Sequence, residues 1–311
     1  MGIRIKVART TEELDCVFKL RHQVYVEEER VLPANSDKRI VDRFDAFPTT
    51  VNFIALSPGG IVGNLRLCEL IDTVGTPADD FFDFRPYYPK NGGKVLNAGM
   101  MCMSRKFRGK MRLSTNLMMM AVYWGSSIGV SHVFTPVNPR AETLFKGVGF
   151  EAISSDFSHE KTGLKLLPMM LDLKKLQDRF SDFVKAQGIN PYIENFEREF
   201  YTKGEKIISS GEEGDRAYFV VAGRAKATIP SSDPNQDRLI LNEISEGEVF
   251  GELALLTDSI RTADVEAMTD LDLMVLDRKS FQEQVLNHPE RSKQFLKLFA
   301  ERWKRTTSLL S

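Results

Sequence analysis

Two side chains nine positions apart, Glu252 and Arg261, have the types and the spacing to hold a sugar and a phosphate together. A carboxylate accepts hydrogen bonds from ribose hydroxyls, and a planar guanidinium donates two parallel ones to phosphate oxygens. The residues between them supply the backbone. Gly251 lets the chain turn close to a ligand, and Glu252, Leu253 and Ala254 begin a short helical turn whose free N–H groups face an anion. Thr262 follows Arg261 and brings a hydroxyl within reach of a base.

The flanking sequence has the periodicity of a small antiparallel β-roll. Short β-branched and aromatic runs, Ala217 to Val221, Ala225 to Ile229, Leu239 to Ile244 and Leu271 to Leu276, are separated by Gly, Asp, Asn and Pro. From Arg278 the apolar spacing changes to three and four, through Phe281, Val285, Leu286, Phe295, Leu298, Phe299 and Trp303, which predicts C-terminal helices broken near Pro289. The Gly-Glu-Leu-Ala run and its following Arg resemble the phosphate-binding cassette of cyclic-nucleotide-binding domains. That resemblance implies a nucleotide ligand held by Gly251, Glu252, Leu253, Ala254, Arg261 and Thr262, with the C-terminal helix as a lid and Trp303 or Phe299 available to stack on the base. It favours cAMP, the commoner ligand of such domains in bacteria, and Thr262 keeps cGMP open.

A second charged run lies in the first half of the chain. Arg105, Lys106, Arg108, Lys110 and Arg112 crowd, with Gly109, just before a helix expected from Ser114 to about Gly125. Cations there oppose the helix macrodipole, so their crowding points to a bound anion.

Around that run, strands and helices alternate. Strands are expected at Ile3 to Ala8, Phe53 to Leu56, Ile61 to Leu70, Val95 to Ser104 and His132 to Pro136, with helices from Thr11 through Tyr25 and from Arg140 to Val148. The order suggests a mixed sheet flanked by helices. The whole chain then reads as α+β: a first domain over 1–170, connecting helices over 171–195 with apolar Leu173, Leu176, Phe180, Phe183 and Val184 at helical spacing, and a roll over 196–311.

The first domain resembles the GNAT acyltransferase superfamily. Asn138 to Phe150 looks like its closing helix and strand, and Ser104 to Lys110 sits where its phosphate loop belongs. Leu20 to Arg30, Asp42 to Asp45, Gly63 to Leu67 and Ser104-Arg105 are similar to acyl-homoserine-lactone synthases and, more closely, to N-acyl amino acid synthases. The resemblance implies a catalytic set of Arg21, Asp42, Asp45, Arg66 and Arg105, whose acids and arginines suit an amino acid acceptor bearing an ammonium and a carboxylate. It also implies an acyl thioester donor, from acyl carrier protein or CoA, whose phosphate meets Arg105, Lys106, Arg108, Gly109, Lys110 and Arg112. Met111 and Leu113 replace the small residues that wrap a pyrophosphate, which favours acyl carrier protein. Met100, Met101, Met103, Met111 and Met118 to Met120 offer an adaptable lining for an acyl chain or ordinary core.

The sequence departs from these relatives where a base and an acid belong, with Cys102 and Phe145 at the two positions. Cys102 reads as an inert buried thiol, and His22, His132 and His159 as structural. The reading that results is a cyclic-nucleotide-regulated N-acyltransferase. Its competitors are a regulated protein-lysine acetyltransferase using acetyl-CoA and an inactive acyltransferase fold serving as a nucleotide-sensing scaffold.

Composition sets the outer bounds. The 311 residues are enough for two cores, and a formal net charge of -1 gives no general pull toward nucleic acid or membrane. Three scattered cysteines suggest neither a disulfide framework nor a metal site, and fit a reducing cytoplasm. No secretory signal, membrane span, myristoylation site or DNA-reading module is expected. Monomer and dimer both stay open.

Overall fold

The computed structural model describes residues 2–90, 92–109, 113–160, 162–176, 197–230, 238–257 and 259–282, with 286–287, 289, 292–293, 295–297, 299–300 and 304 beyond. The chain divides into two compact units, Ile5–Ala186 and Gln187–Ser311, Met1–Arg4 being grouped with the second.

Strand β1 (Ile3–Val7), of which Ile5 onward belongs to the first unit, leads into helix α1 (Thr11–His22). Sequence fixes that start. Thr10 accepts from the Glu13 N–H at 3.2 Å, and the Glu13 carboxylate accepts from the Thr10 N–H at 3.3 Å, a reciprocal cap that satisfies two otherwise orphaned donors. Glu12 and Glu13 lie in the first turn and Lys19, Arg21 and His22 in the last, each complementing the macrodipole. The helix then continues as a wider π-turn over Gln23–Glu28, where the Glu29 N–H reaches back five residues to the Val24 carbonyl at 2.8 Å.

Strands β2 (Thr50–Ser57) and β3 (Gly60–Glu69) form an antiparallel hairpin, and β4 (Lys94–Met103) pairs antiparallel with β3. Between β3 and β4, the expected irregular excursion is anchored by buried Ala78 and Phe84, which pack with Val95 and Phe134. Helix α2 (Leu113–Ser127) carries the chain to β5 (Val130–Val137), parallel to β4, as a parallel pair requires. Helix α3 (Glu142–Val148), β6 (Glu151–Ala152), β7 (Phe157–Ser158) and β8 (Lys165–Asp172) complete the unit. The sheet runs β1-β2-β3-β4-β5-β8-β6, with β7 on β8. Helices α1 and α2 bury Val17, Leu20, Leu117, Met118 and Met120, each such side chain worth about 1.5–3 kcal/mol of transfer free energy. Met103, Met118 and Met120 are therefore core residues, while Met100, Met101 and Met119 are half-buried.

The second unit is all antiparallel. Strands β9 (Glu197–Tyr201), β11 (Arg216–Ala222), β14 (Val249–Phe250) and β16 (Leu271–Asp277) make one sheet in the order β14-β11-β16-β9. Strands β10 (Lys206–Ile208), β12 (Ala225–Pro230), β13 (Arg238–Ile244) and β15 (Asp264–Ala267) make the other, in the order β10-β15-β12-β13. Tyr218, Phe250, Leu273 and Val275 of the first sheet share one apolar cluster with Ile208, Ala225, Ile244 and Val265 of the second. Helix α4 (Glu252–Thr257) crosses between strands β14 and β15.

Of the expected connector, Leu171 and Asp172 still belong to β8, residues 173–176 are helical, and the rest lies outside the described residues. So do Val285, Leu298 and Trp303 of the expected C-terminal helices. No helix among the described residues is long and apolar enough to cross a membrane.

Candidate active site and ligand pocket

Four of the five charged residues singled out in the first unit converge. Arg21, from α1, points its guanidinium into the sheet, donating to Asp45 Oδ1 and Oδ2 at 2.9 Å each, to Asn64 Oδ1 at 3.1 Å and to Asn52 Oδ1 at 2.6 Å. Arg66, from β3, donates to both oxygens of Asp42 at 2.7 and 2.8 Å and lies 3.0 Å from Asp45 Oδ2. The acids are presented by one short turn. Asp42 accepts from the Phe44 N–H at 2.9 Å and Asp45 from the Asp42 N–H at 3.1 Å, so the two carboxylates cap the turn and neutralise the arginines together.

This cluster carries two formal positive and two negative charges and is nearly saturated. Arg21, Asp45 and Arg66 have side chains 0%, 1% and 1% exposed, whereas Asp42 keeps 33% of its surface open. Burial alone would push the Asp42 carboxyl up. The Arg66 hydrogen bonds and charge outweigh that and hold it below the usual carboxylate range. One buried donor is left over, Arg66 Nε, which finds no acceptor among the described residues. Arg105 stands apart, exposed on a turn after β4.

Beside the cluster the sheet opens. The parallel pairing of β4 with β5 runs only from Lys94↔Val130 to Asn97↔Phe134, and β5 continues with β8 as far as Val137↔Leu167. Asn97 Nδ2 closes the fork by donating to the Phe134 carbonyl at 3.0 Å. Past it, β4 bulges. Asn64 pairs with Cys102 and Arg66 with Gly99, so Met100 and Met101 together oppose Leu65, and Met100 takes the left-handed φ of 49°. Two strands that part over a bulge offer backbone donors and acceptors to an extended guest.

The basic run is less free than its sequence suggests. Arg108 donates to Glu28 Oε2 at 2.6 Å, to Glu29, and through Nε to the Met103 carbonyl at 3.0 Å, so the last acid of the π-turn and the one that follows it already neutralise it. Lys106 is exposed, Gly109 turns at φ 72°, and Lys110, Met111 and Arg112 lie outside the described residues.

Other candidates settle into structural places. Cys102 is 3% exposed, and burial pushes its thiol up to about 12. Phe145 is buried edge-on to Phe150, with ring centroids 5.2 Å apart. His22 is buried 3.3 Å from Glu27, His132 stacks on Phe134, and His159 touches the Asp80 carbonyl and Thr162. Sequence reasoning missed Asn52, Asn64 and Asn97, all buried in strands, where asparagine is disfavoured. That mismatch was the available signal.

In the second unit the cassette residues line a cavity of ≈ 210 Å³ together with Ile208, Asn242, Ile244 and Phe299. Arg261 is 6% exposed and, among the described residues, donates to two carbonyls, Gly251 O at 2.6 Å and Arg216 O at 2.7 Å. Burial outweighs the nearby Asp215 and Glu212 charges and draws it below its ordinary value. A buried guanidinium so placed has the chemistry to pair with an anion. Gly251 turns at φ 75°, and a Cβ there would lie 2.8 Å from Arg261 Nη1. Glu252 is buried at the start of α4 and Thr262 is exposed on the rim. Asn242 went unnoticed in the sequence, being one polar residue in an otherwise ordinary strand.

Comparison with known proteins separates the same two regions. The family profile described as N-acyl amino acid synthase FeeM matches residues 16–172, and that of the cyclic nucleotide-binding domain matches residues 198–288. Over 94 residues the chain is 37% identical to the cGMP-dependent protein kinase 2 of Homo sapiens, covering 30% of this chain and 12% of the kinase. Over 111 residues it is 27% identical to the CRP-like cAMP-activated global transcriptional regulator of Mycobacterium tuberculosis, covering 36% of this chain and 49% of the regulator. The chain thus spans at most about half the length of these curated relatives. The structure of FeeM, an N-acyl amino acid synthase from uncultured soil microbes, aligns with a TM-score of 0.47 and 12% identity over 57% of this chain and 95% of that one.

Proposed function

The chain belongs to the N-acyl amino acid synthase FeeM family, and from that premise we propose that it moves an acyl group from a thioester to the amine of an amino acid under control of a cyclic nucleotide. Residues 1–170 are the acyltransferase domain, 171–195 the connector and 196–311 the nucleotide domain. The observation that carries this reading is the parting of β4 from β5 over a bulge that lies directly across from Arg66 of the neighbouring strand β3.

The acyl chain and its pantetheine arm lie in the fork, with the thioester carbonyl at the bulge. The acceptor ammonium meets the open edge of Asp42, and its carboxylate meets Arg105, which is exposed on the turn after β4. Once the ammonium has lost a proton to water, the amine lone pair forms the C–N bond, and the carbonyl π pair moves to oxygen facing strand N–H groups. The tetrahedral species collapses by breaking C–S, and the second amine proton ends on the thiolate through water. No side-chain base is required, in keeping with Cys102 at the position where the resemblance to acyl-homoserine-lactone synthases would put a Glu. The neutralisation of Arg108 by Glu28 and Glu29 favours a donor with one phosphate, an acyl carrier protein thioester, over a pyrophosphate-bearing CoA.

The regulatory ligand is cAMP, with cGMP the alternative. Its cyclic phosphate sits on Arg261 and its ribose on Glu252. Three free thiols suit a reducing compartment. The test is to incubate the protein with acyl carrier protein or CoA thioesters, mixed amino acids and each nucleotide, and to identify products by mass. N-acyl amino acids whose yield changes with nucleotide are expected. Acetylated protein lysines alone would replace this reading, and no product with any donor would favour a nucleotide-sensing scaffold.

A further inference from the structure

We propose that Tyr25 is a positioning residue for acyl transfer: by donating its hydroxyl to the Met101 carbonyl at 2.8 Å it locks the β4 bulge in the shape that receives the thioester. This rests on the acyl-transfer reading above. Met100 is a residue with a β-carbon in the left-handed region, in the middle of a strand. Such a conformation costs on the order of 1–2 kcal/mol and persists only where surrounding contacts over-determine it. Tyr25 supplies such a contact from outside the sheet.

The contact is built to last. Tyr25 lies on the π-turn that extends α1, and its ring packs against Leu20, Val24 and Cys102. Its own carbonyl accepts from the Val31 and Leu32 N–H groups at 2.8 and 3.2 Å, so the backbone that carries the ring is fixed as well. Burial, with Cys102 beside it, pushes the phenol well above its ordinary value, so the hydroxyl remains a donor at every working pH.

The same helix and its extension also carry Arg21 into the charged cluster and Glu28 and Glu29 onto Arg108. One continuous segment therefore touches the acceptor cluster, the bulge and the basic turn. Removal of the hydroxyl frees the bulge to relax toward ordinary extended backbone, and the N–H groups at the fork lose their aim.

The test uses the full chain with the thioester and amino acid found active in the product assay. Tyr25→Phe is expected to lower kcat about tenfold, the equivalent of one neutral hydrogen bond, with the amino acid KM within about twofold. Deuterium exchange of the β4 peptide should rise by about the same factor. Met100→Gly in the Tyr25→Phe background is expected to restore kcat, because glycine adopts φ 49° without strain. That rescue would not follow from a merely structural loss. Unchanged kcat in Tyr25→Phe overturns the proposal, as does a loss that Met100→Gly leaves in place. An inactive wild-type protein overturns the acyl-transfer reading instead, and unchanged exchange in Tyr25→Phe then overturns the lock by itself.

Discussion

Arg66 and Asp42 meet fork to fork, Nη1 to Oδ1 at 2.7 Å and Nη2 to Oδ2 at 2.8 Å, with the cation fully buried and the anion one-third open. That asymmetry decides what each partner can do. Arg66 is fixed by the fold, while Asp42 still has an edge for a guest. Truncating Asp42 leaves a buried guanidinium with only Asp45, already shared with Arg21. Breaking a fully buried pair costs about 3–5 kcal/mol, and the partial exposure of Asp42 reduces the expectation for Asp42→Ala to roughly 2–3 kcal/mol. Denaturant unfolding of the full chain measures it. An unchanged midpoint would mean that Asp45 alone neutralises both arginines.

The same pair sets an acid limit. The folded Asp42 carboxyl lies below its ordinary value of about 3.9, since Arg66 outweighs burial. Its contribution is therefore complete above that value and is lost as pH falls through the lower, folded one. Asp15, held at about 2 by Arg39 and Lys19, titrates in the same window, so the reading must be a difference between variants. Asp42→Asn is expected to flatten the fall in unfolding midpoint below about pH 4 relative to wild type. Parallel curves would show that the carboxyl titrates alike folded and unfolded.

The charged cluster was legible because its members are arginines and aspartates in a fixed order, and the structure brings four of them together. Its asparagines were not, because each stands singly among apolar strand residues and only the fold brings Asn52 and Asn64 against Arg21. Arg108 was read with its basic neighbours, and the acids that neutralise it lie about eighty residues earlier, beyond any local pattern. The bulge left no mark at all, since methionine rather than glycine occupies its left-handed position. The roll, by contrast, was legible from alternation and turns, because an antiparallel sheet with one buried face repeats every two residues.

The three cysteines should differ sharply in reactivity. Cys16 is exposed on α1, whereas burial raises the Cys68 thiol and pushes that of Cys102 up to about 12. Thiolate is the reactive form, so iodoacetamide near pH 8 is expected to label one thiol in the native protein and three after unfolding, counted by mass. Native labelling of Cys102 would revive it as an acyl-accepting nucleophile.

Gly251 has two reasons to be glycine, a φ of 75° and a Cβ position 2.8 Å from Arg261 Nη1. Gly251→Ala must strain the turn or displace the guanidinium. Nucleotide affinity is expected to fall at least tenfold in calorimetry, the equivalent of about 1.4 kcal/mol. Full affinity would show that the Arg261 head is not held against Gly251 in the bound state.

Arg261→Ala separates binding from folding. Removing half of a buried ion pair ordinarily destabilises a protein, but Arg261 faces carbonyls rather than a carboxylate, and its burial already disfavours the charge. Without nucleotide the variant is expected to unfold at or near the wild-type midpoint. With nucleotide the phosphate loses its counter-ion, and a loss of roughly 3–5 kcal/mol in binding follows if that pair is buried in the complex. Thermal shift with and without cAMP, beside calorimetry, reads both quantities. A variant that loses stability alone and binds cAMP as tightly as wild type would move the phosphate away from Arg261.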